Sequence, residues 1–231
     1  MRSPVQTRFE DLPEDLAIFP LSGALLLPWG RLPLNIFEPR YLSMILDALK
    51  CERIIGMIQP DYDKTPKAKT LANNIAQESE PAIFGIGCTG RIASFEETED
   101  GRLLILLKGL ARFRVVREIE GHGGYRRVRA AYDDFAHDLD PLPKFTLDRQ
   151  QLLAYLKPYI DSQSRPVSIE VLKGLSDTTL VTSLCMICPF GPREKQALLE
   201  AGNMNERANA LIKLLQMGVF DVGGANDGPK Q

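Results

Sequence analysis

Two cysteines three residues apart, Cys185 and Cys188, are the densest concentration of reactive side chains in the sequence. A C-x-x-C pair does redox work when its first thiol opens a helix after a strand, and it holds zinc when two further ligands stand near. Cys185-Met186-Ile187-Cys188 instead falls late in an apolar helical segment, where the helix dipole disfavours a thiolate. Cys51 and Cys88 stand alone on other elements. Packing in the core is the reading this position favours, with redox or metal chemistry as the alternative. The two histidines, His122 in a glycine-rich hairpin tip and His137 in a polar stretch, have no Ser or Cys partner in a relay pattern and read as solvated loop residues. No phosphate cradle of the G-x-x-x-x-G-K-[ST] type, no G-x-G-x-x-G following a strand and no G-x-S-x-G elbow occurs. No catalytic residue, metal or cofactor is therefore assigned. The chain reads as a binder.

Two stretches could do the binding. Gly23–Arg31, GALLLPWGR, holds the single tryptophan and three consecutive leucines among turn residues. A loop cannot bury every side of such a run, so Leu25, Leu26, Leu27, Pro28, Trp29 and Arg31 are expected to leave an exposed apolar surface for polypeptides. The alternative is that Trp29 plugs the end of a barrel. The second stretch carries Arg102, Lys108, Arg112, Arg114, Arg117, Arg126, Arg127 and Arg129 against Glu118 and Glu120. If residues 121–124 form a hairpin tip, Glu118 faces Arg127 and Arg112 faces Asp133, as in cross-strand ion pairing. A basic RNA-binding face through Arg126, Arg127 and Arg129 is the other reading. It is weakened by sparse aromatics, since only Phe113, Tyr125 and Tyr132 are interleaved and Phe113 looks core-facing.

The elements that must carry these residues change period near residue 137. Before it, short runs broken by Pro and Gly (17–22, 32–38, 53–59, 83–95, 102–108, 110–120, 125–135) read as strands, and Pro39 starts one amphipathic helix over 40–50. Several bent antiparallel strands imply a small, partly closed barrel. Residues 61–81 read as a surface loop, or as a lid over a binding face. After the polar, proline-bearing stretch 137–146, apolar residues recur at helical spacing. Pro158 should kink or end the first of these helices, Asp177 should cap the next, and Asn203 with Glu206 spells a capping box. The expected division is a flexible 1–14, a barrel at 15–136, a linker at 137–146, a helical bundle at 147–219 and a disordered tail at 220–231. The fold class is α+β.

The chain has 231 residues, 44% hydrophobic and 25% charged, an ordinary globular balance that excludes wholesale disorder. Lys+Arg 28 against Asp+Glu 30 argues against a dedicated nucleic-acid binder. The longest apolar runs fall short of the ~18 residues that span a bilayer, so no membrane partner is expected. The N-terminus lacks a secretory pattern, and four cysteines without one suit a reducing cytoplasm.

The segment 17–44, AIFPLSGALLLPWGRLPLNIFEPRYLSM, closely resembles the opening of the N-terminal, substrate-binding domain of Lon-type ATP-dependent proteases. GIGCTGRI at 85–92, the Asp-Gly hairpin, KGLARFRVV at 108–116 and PFGPREKQALLEA at 189–201 are similar to that family's later signatures. The resemblance covers roughly residues 15–217. It implies a PUA-like β-barrel followed by a helical bundle, and binding of unfolded or partly folded polypeptides, with a separate ATPase or protease as a further partner. It also implies a stand-alone domain in which the ATPase and Ser-Lys peptidase modules are absent, so that no Lon catalytic residue carries over. Glu38, Pro39, Arg40 and Tyr41 match the family's tetrad and are expected to hold the helix against the barrel mouth, with Arg40 pairing a barrel carboxylate. The family's usual Pro-Gly appears here as Pro28-Trp29-Gly30, which gives this loop its own specificity.

Overall fold

The computed structural model describes residues 7–65, 80–141, 145–162, 172 and 174–224. The chain separates into two compact units, Met1–Asp140 and Pro141–Gln231.

The first unit is built on six strands: β1 (Asp15–Pro20), β2 (Arg31–Ile36), β3 (Ile54–Ile58), β4 (Ile86–Glu97), β5 (Leu103–His122) and β6 (Tyr125–Ala131). Their order is β2-β5-β4-β3-β1-β6, and β5 pairs with β6 as well, which closes the sheet on itself. Closure removes the exposed edges of the ring, leaving β2 as an outer strand on the first half of β5. Pro33 fits there, because proline is tolerated at a strand edge. The barrel is not wholly antiparallel as expected: β1 and β3 run parallel. A parallel pair needs a long crossover, and the chain supplies one through β2 and α1 (Pro39–Leu49). The expected strands at 102–108 and 110–120 are one continuous β5, which carries an extra residue between Gly109 and Arg112 and is shared by three neighbours.

Register decides what faces inward. A bulge at Ala93 shifts the β4–β5 ladder by one residue, so that Ile92 opposes Leu107 inside while Arg91 opposes Lys108. Phe113 is fully buried in a core with Leu16, Ile18, Ile54, Val128 and Tyr132. Its ring lies against two glycines. A Cβ at Gly56 would come within 2.9 Å of Phe113 Cζ, and one at Gly87 within 2.5 Å of the same atom. The letters Gly85-Ile86-Gly87-Cys88-Thr89-Gly90 spell G-x-G-x-x-G, but they run into and along β4, where Gly87 makes room for Phe113 and Gly90 for Leu26. Beyond β6, a 3-10 segment (Asp133–Leu139) returns to β5: Asp138 accepts from Arg112 Nε at 2.8 Å and from Arg112 N–H at 3.0 Å. Residues 137–140 therefore belong to the first unit, not to a linker. At the other end, Leu12 is buried in the core and Phe9–Asp11 forms a 3-10 turn, so residues 7–14 are held.

The second unit has α2 (Arg149–Ser162), α3 (Asp177–Ile187), α4 (Pro192–Glu200) and α5 (Met204–Gly224). Helix α2 continues through Pro158 to Ser162, and α5 runs on to Gly224, past the expected start of the tail at 220. The N-cap of α3 is Ser176, whose hydroxyl accepts from Thr179 N–H; Asp177 instead accepts from Leu147 N–H and from Arg149 at 2.6 Å. Asn203 Oδ1 takes Glu206 N–H, and Glu206 returns to Gly202 N–H, close to the expected box. Buried Arg207 satisfies the last carbonyls of α4, donating to Leu198 and Ala201.

Candidate functional site: a basic cleft beside Trp29

The expectation of an exposed leucine run is overturned. Leu25, Leu26 and Leu27 are 2, 1 and 0% exposed, and Pro28 is buried with them. The loop folds inward because its backbone is latched to the barrel at both ends. Gln59, itself buried, donates to Ala24 O and accepts Gly23 N–H at 3.0 Å. At the other end Trp29 N–H donates to Gly109 O (3.1 Å), and Gly109 N–H donates to Gly30 O (2.9 Å). With polar groups satisfied along the barrel, the three leucines can stay buried, and Leu26 fills the space over Gly90. A Cβ at Gly109 would lie 2.9 Å from the Leu27 carbonyl carbon and nearer still to its oxygen, so only glycine allows this approach.

What stays at the surface is Trp29, half-buried, and Arg31, exposed. Gly30 N–H donates to Leu27 O (2.9 Å), closing a turn with Pro28 second and Trp29 third. Trp29 has φ +66°, the left-handed third position of a type II turn, where glycine or asparagine is usual. Arg53, just before β3, has φ +62°, with its N–H on Ala48 O and its carbonyl on Ile92 N–H. Among the described residues these two are the non-glycine residues with positive φ, and each costs roughly 1–2 kcal/mol. Both line the same cleft.

That cleft encloses about 510 Å³. Trp29, Ile92, Ala93, Leu110 and Leu139 give it apolar surface; Arg53, Arg91 and Lys108 give it charge, with no Asp or Glu in the lining among the described residues. Lys108 Nζ lies 5.5 Å from the Trp29 ring centroid, and Arg91 Nη1 donates to Thr7 Oγ1 at 3.4 Å. The arrangement offers an apolar slot with a cationic rim, a surface that can bind. Of the lining residues, sequence reasoning singled out Trp29 and Lys108 but missed Arg53 and Arg91; Arg31 lies outside the lining. Counting back from the Asp-Gly hairpin without the bulge pairs Lys108 with Ile92, which hides Arg91, and no residue pattern announces the left-handed Arg53.

The other predicted residues fall elsewhere. Glu38 caps α1 without a side-chain bond to it, and Pro39 opens the helix. Arg40 pairs with Glu38 at 3.0 Å and with Glu80 at 3.7 Å, not with a strand carboxylate. Buried Tyr41 packs on Phe19, ring centroids 4.2 Å apart, and burial pushes its hydroxyl up in pKa. Four arginines of the basic hairpin have carboxylate partners: Arg126 has Glu118 and Glu80, Arg127 has Asp15, Arg129 has Glu14 and Asp15, and Arg114 has Asp134. Arg117 instead stands opposite Arg129. Turn residues Gly123 and Gly124 and a register shift near the tip set Glu118 opposite Val128, one place from the expected Arg127, and Arg112 finds Asp138 rather than Asp133. Most of the charge that an RNA face would need is taken up in these pairs. Cys185 and Cys188 are buried, and desolvation pushes both thiols up to about 12, far from a reactive thiolate. Most of the expected lid, residues 66–79, lies outside the described residues, as do residues 1–6 and 225–231.

The family described as "ATP-dependent protease La (LON) substrate-binding domain" matches residues 15–217. Curated relatives include Lon protease 2 of Myxococcus xanthus, 23% identical over 223 residues, and Lon protease of Anaeromyxobacter dehalogenans, 26% identical over 223 residues. Each alignment covers 93% of this chain but only 25% and 24% of the relative, so the chain spans about a quarter of their length. Among solved structures, a Lon N-terminal domain protein from Xanthomonas campestris aligns with TM-score 0.53 at 21% identity, covering 87% of this chain and 97% of the other. The N-terminal domain of a Mycobacterium avium complex Lon protease aligns at TM-score 0.53 and 16% identity, with 87% and 98% covered. These two likenesses support the α+β architecture. No described helix is long and apolar enough to cross a membrane.

Proposed function

Since this chain belongs to the Lon substrate-binding domain family, we propose that it is a polypeptide-recognition module that acts by binding, and that the cleft beside Trp29 is where an unfolded segment docks. The observation that carries this reading is the tryptophan held in a glycine conformation at the mouth of a half-apolar cleft. A strained residue kept at a surface is a mark of function. The buried leucines take no part; the apolar contact falls to Trp29, Ile92, Ala93, Leu110 and Leu139. An apolar side chain entering the slot buries a few hundred Å² at most. At about 25 cal/mol per Å², less the cost of ordering the segment, that gives weak and reversible capture. Weak capture suits a cytoplasmic adaptor that collects exposed apolar segments and passes them to an energy-dependent protease.

The test is titration with reduced, carboxymethylated lactalbumin, read by calorimetry. Wild-type protein should bind. Ala93→Trp, an exposed lining position whose enlargement fills the slot, should abolish binding while leaving the unfolding midpoint unchanged. Undiminished binding by Ala93→Trp would remove the cleft from the account.

A further inference from the structure

The cleft's cations are arranged in a way that folding does not explain. Register sets Arg31 of β2 opposite Lys108 of β5, and Lys108 opposite Arg91 of β4, so three positive residues lie in one row across three adjacent strands. Directly opposed residues share a face, and like charges so placed destabilise a sheet. Arg91 and Lys108 line the cleft, Arg31 stands beside them in the row, and Arg53, also in the lining, brings a fourth cation. None of the four forms an ion pair within 4 Å among the described residues, although Arg112, Arg114, Arg126, Arg127 and Arg129 each have a carboxylate partner. Among the described residues a carboxylate stands within 4 Å of each of those five arginines and of none of these four, and Arg53 is in addition held in a strained backbone.

We infer that the cleft selects segments bearing a carboxylate next to a large apolar residue, the apolar group resting against Trp29 and the carboxylate bridging the Arg91–Lys108 pair. This rests on the polypeptide-binding reading and narrows its substrate class. The carboxylate has two sources, an Asp or Glu side chain or the polypeptide's own C-terminus, and both present the same two oxygens to the same cations. Arg91, whose planar fork donates in pairs, is the member suited to hold it.

Four dye-labelled peptides of one length and one apolar residue separate the cases, read by fluorescence anisotropy: glutamate-flanked with an amidated end, glutamine-flanked and amidated, glutamine-flanked with a free C-terminus, and lysine-flanked and amidated. The glutamate peptide, the free-end peptide or both should bind about tenfold more tightly than the neutral amidated one, and the lysine peptide should bind least. The preference should collapse in 0.5 M salt, as expected for exposed charges screened over a Debye length of roughly 4 Å. Arg91→Gln, Lys108→Gln and Arg53→Gly should each erase roughly three- to fivefold of it. Arg53→Gly also relieves the positive φ, so its loss cannot come from misfolding. Equal binding of the glutamate, neutral and free-end peptides, abolished by Ala93→Trp, overturns the carboxylate preference and leaves the polypeptide site standing. No binding of any peptide overturns both. A uridine oligonucleotide that binds the wild type more tightly than every peptide, and loses affinity in Arg91→Gln, also overturns the inference.

Discussion

The latch at Gly109 makes the most direct quantitative prediction. Gly109→Ala sets a Cβ inside contact distance of the Leu27 carbonyl, with the carbon at 2.9 Å and Leu26 Cδ1 at 3.4 Å. Backbone on both sides leaves no flexible atom to give way, so the 24–30 loop must lift. Lifting breaks the two Gly109 hydrogen bonds to Trp29 and Gly30, each worth about 1 kcal/mol net. It also partly re-exposes Leu26 and Leu27, each roughly 1 kcal/mol for half of a leucine's burial. The total is about 4 kcal/mol, which at a slope of roughly 2 kcal/mol per molar lowers the urea midpoint by about 2 M. The single tryptophan sits on that loop, so its emission should shift to the red before the barrel unfolds. Gly85→Ala is the control: a Cβ there meets nothing within 4 Å, and its midpoint should stay within about 0.3 M of the wild type. If Gly109→Ala unfolds at the wild-type urea concentration with unshifted emission, the loop is not held by that latch.

Other perturbations read other parts of the molecule. Asp138→Ala leaves the Arg112 guanidinium buried without its carboxylate and should cost about 3–5 kcal/mol in equilibrium unfolding, while Arg112→Met with Asp138→Leu should recover most of it. Iodoacetamide at pH 8 should modify Cys51 in the native protein, and Cys185 and Cys188 only once denaturant is added, as mass spectrometry of tryptic peptides would reveal. The Leu147 N–H, and after it Arg149, hold the Asp177 carboxyl below its ordinary value of 3.8 against the opposing effect of burial. Its stabilisation is therefore present above that value and lost as pH falls through the lower folded one. Helical signal followed in acid should fall less steeply for Asp177→Asn than for the wild type.

Much of the architecture could be read from residue patterns, and what escaped did so for identifiable reasons. The helix at 39–49 was legible because Pro39 opens it and Tyr41, Met44 and Ile45 repeat at its period. The β4–β5 hairpin was legible from Asp100-Gly101, whose glycine takes φ +77°. The parallel pairing of β1 with β3 was not, because strand direction is set by the crossover and leaves no local mark on either strand. Burial of Leu25–Leu27 was misjudged because it depends on Gln59, more than thirty residues away, and on an approach that only Gly109 permits. Asp177 and Ser176 are adjacent and both suit an N-cap; the choice went to serine because Arg149 and Leu147 had already claimed the aspartate. At the cleft, the tryptophan was visible and the cations around it were not, since one extra residue at position 93 decides whether arginine or isoleucine stands beside Lys108.

The ring of Phe113 occupies room that two absent side chains leave free on neighbouring strands. Positions 56 and 113 are thereby bound into one heritable unit with position 16, because Leu16 Cδ2 stands 2.7 Å from a Cβ at 56. A lineage that acquires alanine at 56 can keep it only by giving ground at both 113 and 16. Alanine at 87 also meets the Met57 carbonyl oxygen at 2.6 Å, so that glycine stays whatever stands at 113. Descendants of this barrel should change 16, 56 and 113 together and leave 87 alone, even while the rest of the core drifts one residue at a time.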